Sequence, residues 1–372
     1  MPATPILDLE RDPPSPGRSE WWKWIFGLAV GAAIGIAAGE TDLGLPPINI
    51  VAWLPGLYIM IAIHELAHLA VGYLTGMPPG GIMVGGFVLM RSGDRWNFRF
   101  DRRRIFGGGM AVPLTARDDF RVGAFAWMVA AGPVASLITT VACWLAYQKY
   151  GSGTWDWIGS FFWASAIGLL SIIPMSAGLH KSDAARLWEL WTKPERAKGW
   201  MALVAIQSES MRGVRPRDWD ATLTAQMLAS PSVWAQLMGY YRHLDENDED
   251  AALDCLEAAL VASASSGKPV RQILYLEAAE VCALIRHNST KARTWRERAL
   301  KLRKPESVAC TDGAIAMSEG RFEDALGDIA RTREFAARRK LGSGNGLMRS
   351  AMDRLDARES VCREEIEASL AE

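Results

Sequence analysis

Residues 51–75 are the feature that most constrains how this chain can fold. The run is apolar, and charge or imidazole interrupts it only at His64, Glu65 and His68. An apolar run of about 20 residues predicts a helix that crosses a bilayer. Ionisable groups at membrane depth cost roughly 2.5–3.5 kcal/mol each on insertion scales, so their presence indicates function. We therefore expect the chemistry of this protein to be centred on this helix.

The spacing of the three polar residues predicts a metal site. His64 and His68 are four residues apart, so on a helix they lie on one face, one turn apart. Two imidazoles held in this way can bind one metal ion, and Glu65 can act on a water beside it, which is the HExxH pattern of zinc proteases. The alternative is a hydrogen-bonded histidine pair in a buried helix, although three polar groups would then need partners in lipid.

The distribution of charge divides the chain into two halves. Long uncharged runs occur up to about residue 179, whereas beyond it charges are frequent and no run can span a bilayer. We predict a disordered tail over 1–20, a membrane domain over 21–184 and a cytosolic helical domain over 185–372. The predicted fold class is mainly α, a polytopic membrane helix bundle with a small interfacial β-hairpin and a soluble repeat-like domain. The predicted spans are 21–39, 51–75, 122–147 and 157–179.

Net charge and cysteine usage exclude several classes of function. A net charge of −1 gives no electrostatic support for binding nucleic acid. The five cysteines are scattered without a CxxC pair, which argues against a disulfide framework and against zinc bound by cysteine. No signal peptide is apparent in the mixed-charge tail.

Basic residues in the loops predict the orientation in the membrane. Eight arginines lie between the second and third predicted spans, and five lysines or arginines follow the fourth span. In the loops 40–50 and 148–156, by contrast, Lys149 is the single basic residue. Basic loops face the cytoplasm, so four spans place both termini there. We expect an integral protein of the bacterial inner membrane, with His64 and His68 near the cytoplasmic end of their helix.

Two further segments suggest how a substrate is handled. Residues 83–100 contain turn residues and an alternating aromatic and polar stretch, which predicts a β-hairpin at the membrane surface. Such a hairpin can hold an extended peptide by edge pairing, and the alternative is an ordinary loop hairpin without a substrate role. Gly132-Pro133 predicts a break in the third span that opens a path for substrate and water.

The soluble half contains a weak repeat. Gly239 precedes Ala251 by the same twelve residues that separate Gly313 from Ala325. Small residues at such offsets let paired helices pack closely, as in tetratricopeptide repeats. An unrelated helical bundle is the alternative, and in either case the domain is expected to bind a cytosolic protein partner.

The third metal ligand is left open by the residues alone. Catalytic zinc usually has three protein ligands and one open position. Histidines are few, so the third ligand is expected to be a carboxylate or His180.

The motifs together resemble the site-2 protease family of intramembrane zinc metalloproteases. That family has HExxH on one membrane helix and, on a later one, an Asp-Gly motif that follows Asn-x-x-Pro. The matching stretches here are Ser171 to Pro174 and Ser182 to Arg186, and Gly132-Pro133 is similar to the family's Gly-Pro element. The resemblance covers about residues 50–190 and implies Asp183 as the third ligand of Zn²⁺.

The chain departs from the family pattern at three positions. Ala184 replaces glycine, and Ser136 and Ser171 stand where the family has asparagines that help to hold substrate or the oxyanion. We interpret both serines as bonded to their own helix backbone, the commoner fate of a membrane serine, with weak replacement of the asparagines as the alternative.

The resemblance implies a zinc-dependent endopeptidase that cleaves transmembrane segments of other proteins, with Glu65 as the catalytic base. One rival is an inactive membrane scaffold that recruits partners through the helical domain. A second is a metal-coupled transporter, which lacks the expected internal symmetry of its spans.

Overall fold

A computed structural model describes most of the chain beyond its N-terminal segment. The described residues are 50–102, 105, 108–115, 122–151, 157–177, 180–305, 307–338 and 344–371. The predicted tail and the predicted span 21–39 lie outside them. The chain divides into two compact units with a boundary between Ala197 and Lys198, and Ser92–Arg95 groups with the second unit. The predicted boundary between residues 184 and 185 falls within the first unit, because the helix that begins at Asp183 packs on the helix over 122–150.

The first unit is built on apolar helices that pack against one another. They are α1 (Ile50–Leu74), α2 (Val122–Tyr150) and α3 (Trp157–Gly168), followed by the short amphipathic α4 (Asp183–Thr192). Among the described residues, α1 and α2 are long and apolar enough to cross a membrane, in agreement with the predicted spans 51–75 and 122–147. Only 33% of the most apolar window of each helix is buried, so the larger part of each apolar surface faces outward.

The predicted fourth span, 157–179, is wrong in its extent. α3 ends at Gly168 and continues as a single 3₁₀ turn, Leu169–Ile172. Ile173 is extended with φ −78° and ψ 122°, because a residue before proline is disfavoured in the helical region. After Pro174 the chain forms a two-stranded antiparallel pair, β5 (Ser176–Ala177) and β6 (His180–Lys181).

The predicted break at Gly132-Pro133 is also wrong, since α2 continues through both residues. Pro133 has no N–H, so the carbonyl of Val129 loses its helical donor, but neighbouring helices allow a continuous helix at such a position.

The predicted hairpin is part of a four-stranded antiparallel sheet. Its strands are β1 (Pro79–Val84), β2 (Phe87–Ser92), β3 (Arg95–Phe100) and β4 (Gly109–Pro113), in the spatial order β3-β2-β1-β4. In the register of β1 with β4, Ile82 is opposite Ala111 and Met83 is opposite Met110. β4, which the sequence did not suggest, is therefore an edge strand, and it packs on α1.

From Lys198 onward, the described part of the second unit is built of helices and their connections. Three helix pairs follow one another, and each pair is packed together. The pairs are α7 (Val233–Glu246) with α8 (Glu249–Ala262), α9 (Lys268–Leu284) with α10 (Ser289–Leu302), and α11 (Ala309–Ser318) with α12 (Phe322–Arg338). The remaining helices are α5 (Pro194–Met211), α6 (Ala221–Leu228) and α13 (Gly346–Ala371).

Small residues lie where the pairs approach closely. A Cβ on Gly313 of α11 would be 3.1 Å from the Cβ of Asp328 on α12, and Ala325 is fully buried. The pairing fits the spacing of the weak repeat. The predicted fold class is confirmed in its coarse form, a mainly helical chain with a small antiparallel sheet.

Candidate metal centre

The helix α1 brings the HExxH residues to one buried place. His64, Glu65 and His68 are 9%, 7% and 6% exposed, although much of the helix around them is apolar and open. The two imidazole rings are stacked edge to face with their centroids 4.8 Å apart. The one-turn spacing has therefore produced the predicted pair.

Asp183 is positioned by the start of α4. Ser182 is the N-cap of this helix, and its hydroxyl accepts a hydrogen bond from the backbone N–H of Ala185. The same hydroxyl donates to the carbonyl of Ile173 at 2.7 Å, which ties the cap to the end of the 3₁₀ turn. An acidic residue in the first turn of a helix is also stabilised by the helix dipole.

The three predicted ligands meet. The Asp183 carboxylate lies with Oδ2 at 3.1 Å from His64 Nε2 and Oδ1 at 3.6 Å from His68 Nε2. One ligand atom from each residue lies within 4.8 Å of the others. Ligands about 2.0–2.1 Å from a tetrahedral ion are roughly 3.4 Å from one another. This buried group can therefore hold a metal ion, and two imidazoles with one carboxylate are a donor set that zinc accepts.

The outer nitrogens of both rings have partners. His68 Nδ1 lies 2.7 Å from the carbonyl oxygen of Met128, and His64 Nδ1 lies 2.9 Å from the hydroxyl of Ser136. Both partners are on α2. The interpretation of Ser136 as bonded to its own helix is thus wrong, because the hydroxyl is turned toward α1.

Gly132 supplies the space that the site needs. A Cβ at this position would meet the Nε2 atoms of both His64 and His68. The Gly-Pro element therefore leaves α2 unbroken but lets its backbone approach the donor atoms. A cradle that one methyl group would fill is consistent with a bound ion.

Glu65 lies against the edge strand. Its carboxylate accepts a hydrogen bond from the backbone N–H of Ala111. A Cβ on Gly109 would collide with the same carboxylate. The sequence did not suggest either residue, although the glycine run over 107–109 was a sign that the backbone comes close to another group.

The surroundings of Asp183 keep it ionised. Burial alone would raise the pKa of this carboxyl, but the adjacent imidazoles of His64 and His68 hold the pKa below its usual value. Arg186, one turn along α4, interacts electrostatically with both Asp183 and Glu65. The side chain of His180, the alternative third ligand, lies outside the described residues.

No protein-family model matches the chain, and neither a curated protein nor a solved structure matches it. The geometry of the centre is therefore the basis for assigning a function.

Proposed function

We propose that this protein is a zinc-dependent intramembrane endopeptidase, as the resemblance to site-2 proteases implies. The observation that supports it best is the meeting of His64, His68 and Asp183 around a space kept open by Gly132. The histidines lie on a helix whose outward surface is largely apolar, which favours a centre at membrane depth.

His64, His68 and Asp183 would hold the ion, which supplies a Lewis acid and lowers the pKa of water toward about 7. Glu65 adjoins this group and serves as the base that takes a proton from the attacking water and returns it to the leaving amine. The hydrogen bond from Ala111 holds the carboxylate in one orientation.

The substrate is a transmembrane segment of another protein, locally unwound so that its peptide bonds are accessible. β4 is the strand at which such an extended chain would add, since it is an edge of the sheet and borders Glu65. This moves substrate binding from the predicted hairpin strands over 83–100 to the strand that follows them.

We place the protein in the bacterial inner membrane with both termini on the cytoplasmic side, following the distribution of basic residues. Its tetratricopeptide-like helical unit would bind a cytosolic protein partner. The proteolysis would be regulated, with release of a cytosolic factor.

Cleavage of a membrane substrate by purified protein tests the proposal. The Glu65→Gln variant should retain zinc at the wild-type stoichiometry and lose about 10²–10⁴-fold in cleavage rate, because the base is lost and the ligands are kept. His64→Ala should lose the metal as well. Persistent cleavage by Glu65→Gln would refute the role of Glu65, and wild-type protein without zinc would favour the inactive scaffold.

A further inference from the structure

The two histidines differ in what holds their outer nitrogens. His68 Nδ1 faces the carbonyl of Met128, which can only accept a hydrogen bond. In a neutral His68 the proton is therefore on Nδ1, and Nε2 has a free lone pair. His64 Nδ1 faces the hydroxyl of Ser136, which can accept or donate, so for this ring the backbone does not decide the tautomer.

We propose that Ser136 is a positioning residue that accepts a hydrogen bond from His64 Nδ1 and so keeps Nε2 free for the metal. A neutral imidazole has one N–H, and fixing it on one nitrogen leaves the other as ligand. The assignment rests on the proposed metal centre. In this assignment Ser136 orients His64, a candidate metal ligand, whereas the family resemblance implied that a residue at this position contacts the substrate.

Ser136 lies in a tightly packed contact between α2 and α3. The residue is 4% exposed, and a Cβ on Gly168 of α3 would meet the hydroxyl directly. One turn further along α2, the hydroxyl of Thr140 donates to the carbonyl of Ser136 at 2.7 Å and lies 3.0 Å from the hydroxyl of Ser165 on α3. α3 therefore packs closely beside the contact between the Ser136 hydroxyl and His64 Nδ1.

Zinc affinity of the full chain in detergent, measured by competition with a chelator, tests this role. Ser136→Ala should bind zinc 10–100-fold more weakly than wild type, the usual effect of losing a partner of a metal ligand. Ser136→Thr keeps the hydroxyl and should restore the affinity to within about threefold, on the same principle. The matched control is Thr139→Ala. Among the described residues, the Thr139 hydroxyl donates to the carbonyl of Ala135 in its own helix and makes no other hydrogen bond.

Cobalt(II) absorption of the same variants provides a second measurement. The ligand-field bands should change in Ser136→Ala and stay as in wild type in Thr139→Ala. Wild-type affinity in Ser136→Ala overturns the assignment while leaving the metal centre intact. If Thr139→Ala loses affinity to the same extent, the effect is one of packing and the assignment is overturned. The same conclusion follows if Ser136→Ala lowers the melting temperature of the zinc-free protein and Ser136→Thr does not recover the affinity. Absence of zinc from wild type would refute the metal centre itself.

Discussion

At the scale of single residues, the centre depends on the absence of a side chain at Gly132 as well as on the three candidate ligands. Gly132 has no side chain where one would fill the space beside both Nε2 atoms. The sequence marked this residue through its Gly-Pro pair, but suggested a broken helix. The actual role follows from how closely α2 lies against α1, a distance that only the packed structure contains.

Gly132→Ala should weaken zinc binding at least about tenfold, because the new methyl group occupies the space of the ion. The methyl group also overlaps both buried imidazoles, so the melting temperature of the zinc-free variant is compared with that of wild type to separate lower stability from loss of the site. Zinc content and affinity of the purified variant are the measurements.

Gly123→Ala is the matched control in the same helix, since a Cβ there meets nothing within 4 Å. Equal zinc affinity in Gly132→Ala and wild type would contradict the placement of the ion.

At the scale of elements, β4 and α1 together form the part of the centre that would transfer the proton in the proposed reaction. Gly109→Ala should displace the Glu65 carboxylate, leave zinc binding within about twofold, and lower the cleavage rate about 10²-fold or more. The two measurements are the rate at which the variant cleaves a membrane substrate and the amount of zinc that it binds per chain.

Gly108→Ala, one residue earlier, is the control for this prediction, because a Cβ there has nothing within 4 Å. If both variants lose activity equally, the contact between Gly109 and Glu65 is not the cause.

The helix α9 contains a half-buried acidic residue, Glu277, for which we expect an effect of pH on stability. Glu277 accepts hydrogen bonds from Tyr241 at 2.7 Å and from Tyr240 at 3.2 Å. Burial, with the nearby charge of Glu280, raises the pKa of Glu277 to about 7. One turn away, Glu280 pairs with Arg358 of α13 at 3.1 Å.

The free energy of unfolding should therefore fall as the pH rises from 4.5 through 7. Glu277 has its ordinary pKa of 4.5 in the unfolded chain and a pKa of about 7 in the folded chain, so its contribution to stability is complete below the lower value and lost above the higher one. The difference amounts to about 3 kcal/mol.

Denaturant unfolding at pH 5 and pH 8 measures this effect, and Glu277→Gln should reduce the difference between the two pH values. Glu365→Gln is the control, since Glu365 lies on an exposed part of α13. An unchanged pH dependence in Glu277→Gln would contradict the assignment.

At the scale of the whole molecule, the chain combines a unit with largely outward-facing apolar helices and a unit with a charged helical surface. The split near residue 197 agrees with the change in composition that the sequence contains near residue 179, except that α4 belongs to the first unit. The membrane location and the orientation stay predictions.

Alkaline phosphatase fused after residue 372 should be inactive, whereas fusion in the loop 148–156 should be active, because the enzyme folds only outside the cytoplasm. The physical basis is the excess of lysine and arginine in the segments predicted to face the cytoplasm. Activity of both fusions, or of the first alone, would refute the orientation.

The sequence by itself determined the features that depend on local spacing. The apolar length of α1 and α2, the pairing of His64 with His68 and the coarse helical class all follow from periods within one helix. Asp183 came from the resemblance to the site-2 protease family and not from local spacing.

The tertiary structure alone decided what lies opposite those residues. Three contacts of the site join residues that are more than forty positions apart in the sequence. They are the close approach of Gly132 to the histidines, the contact of Ser136 with His64, and the contact of the edge strand with Glu65. Helical periodicity states which face of a helix a residue occupies, but not which backbone will pack against that face or how closely. For that reason the candidate metal ligands could be predicted from motifs along the chain, and the groups that hold and orient them could not.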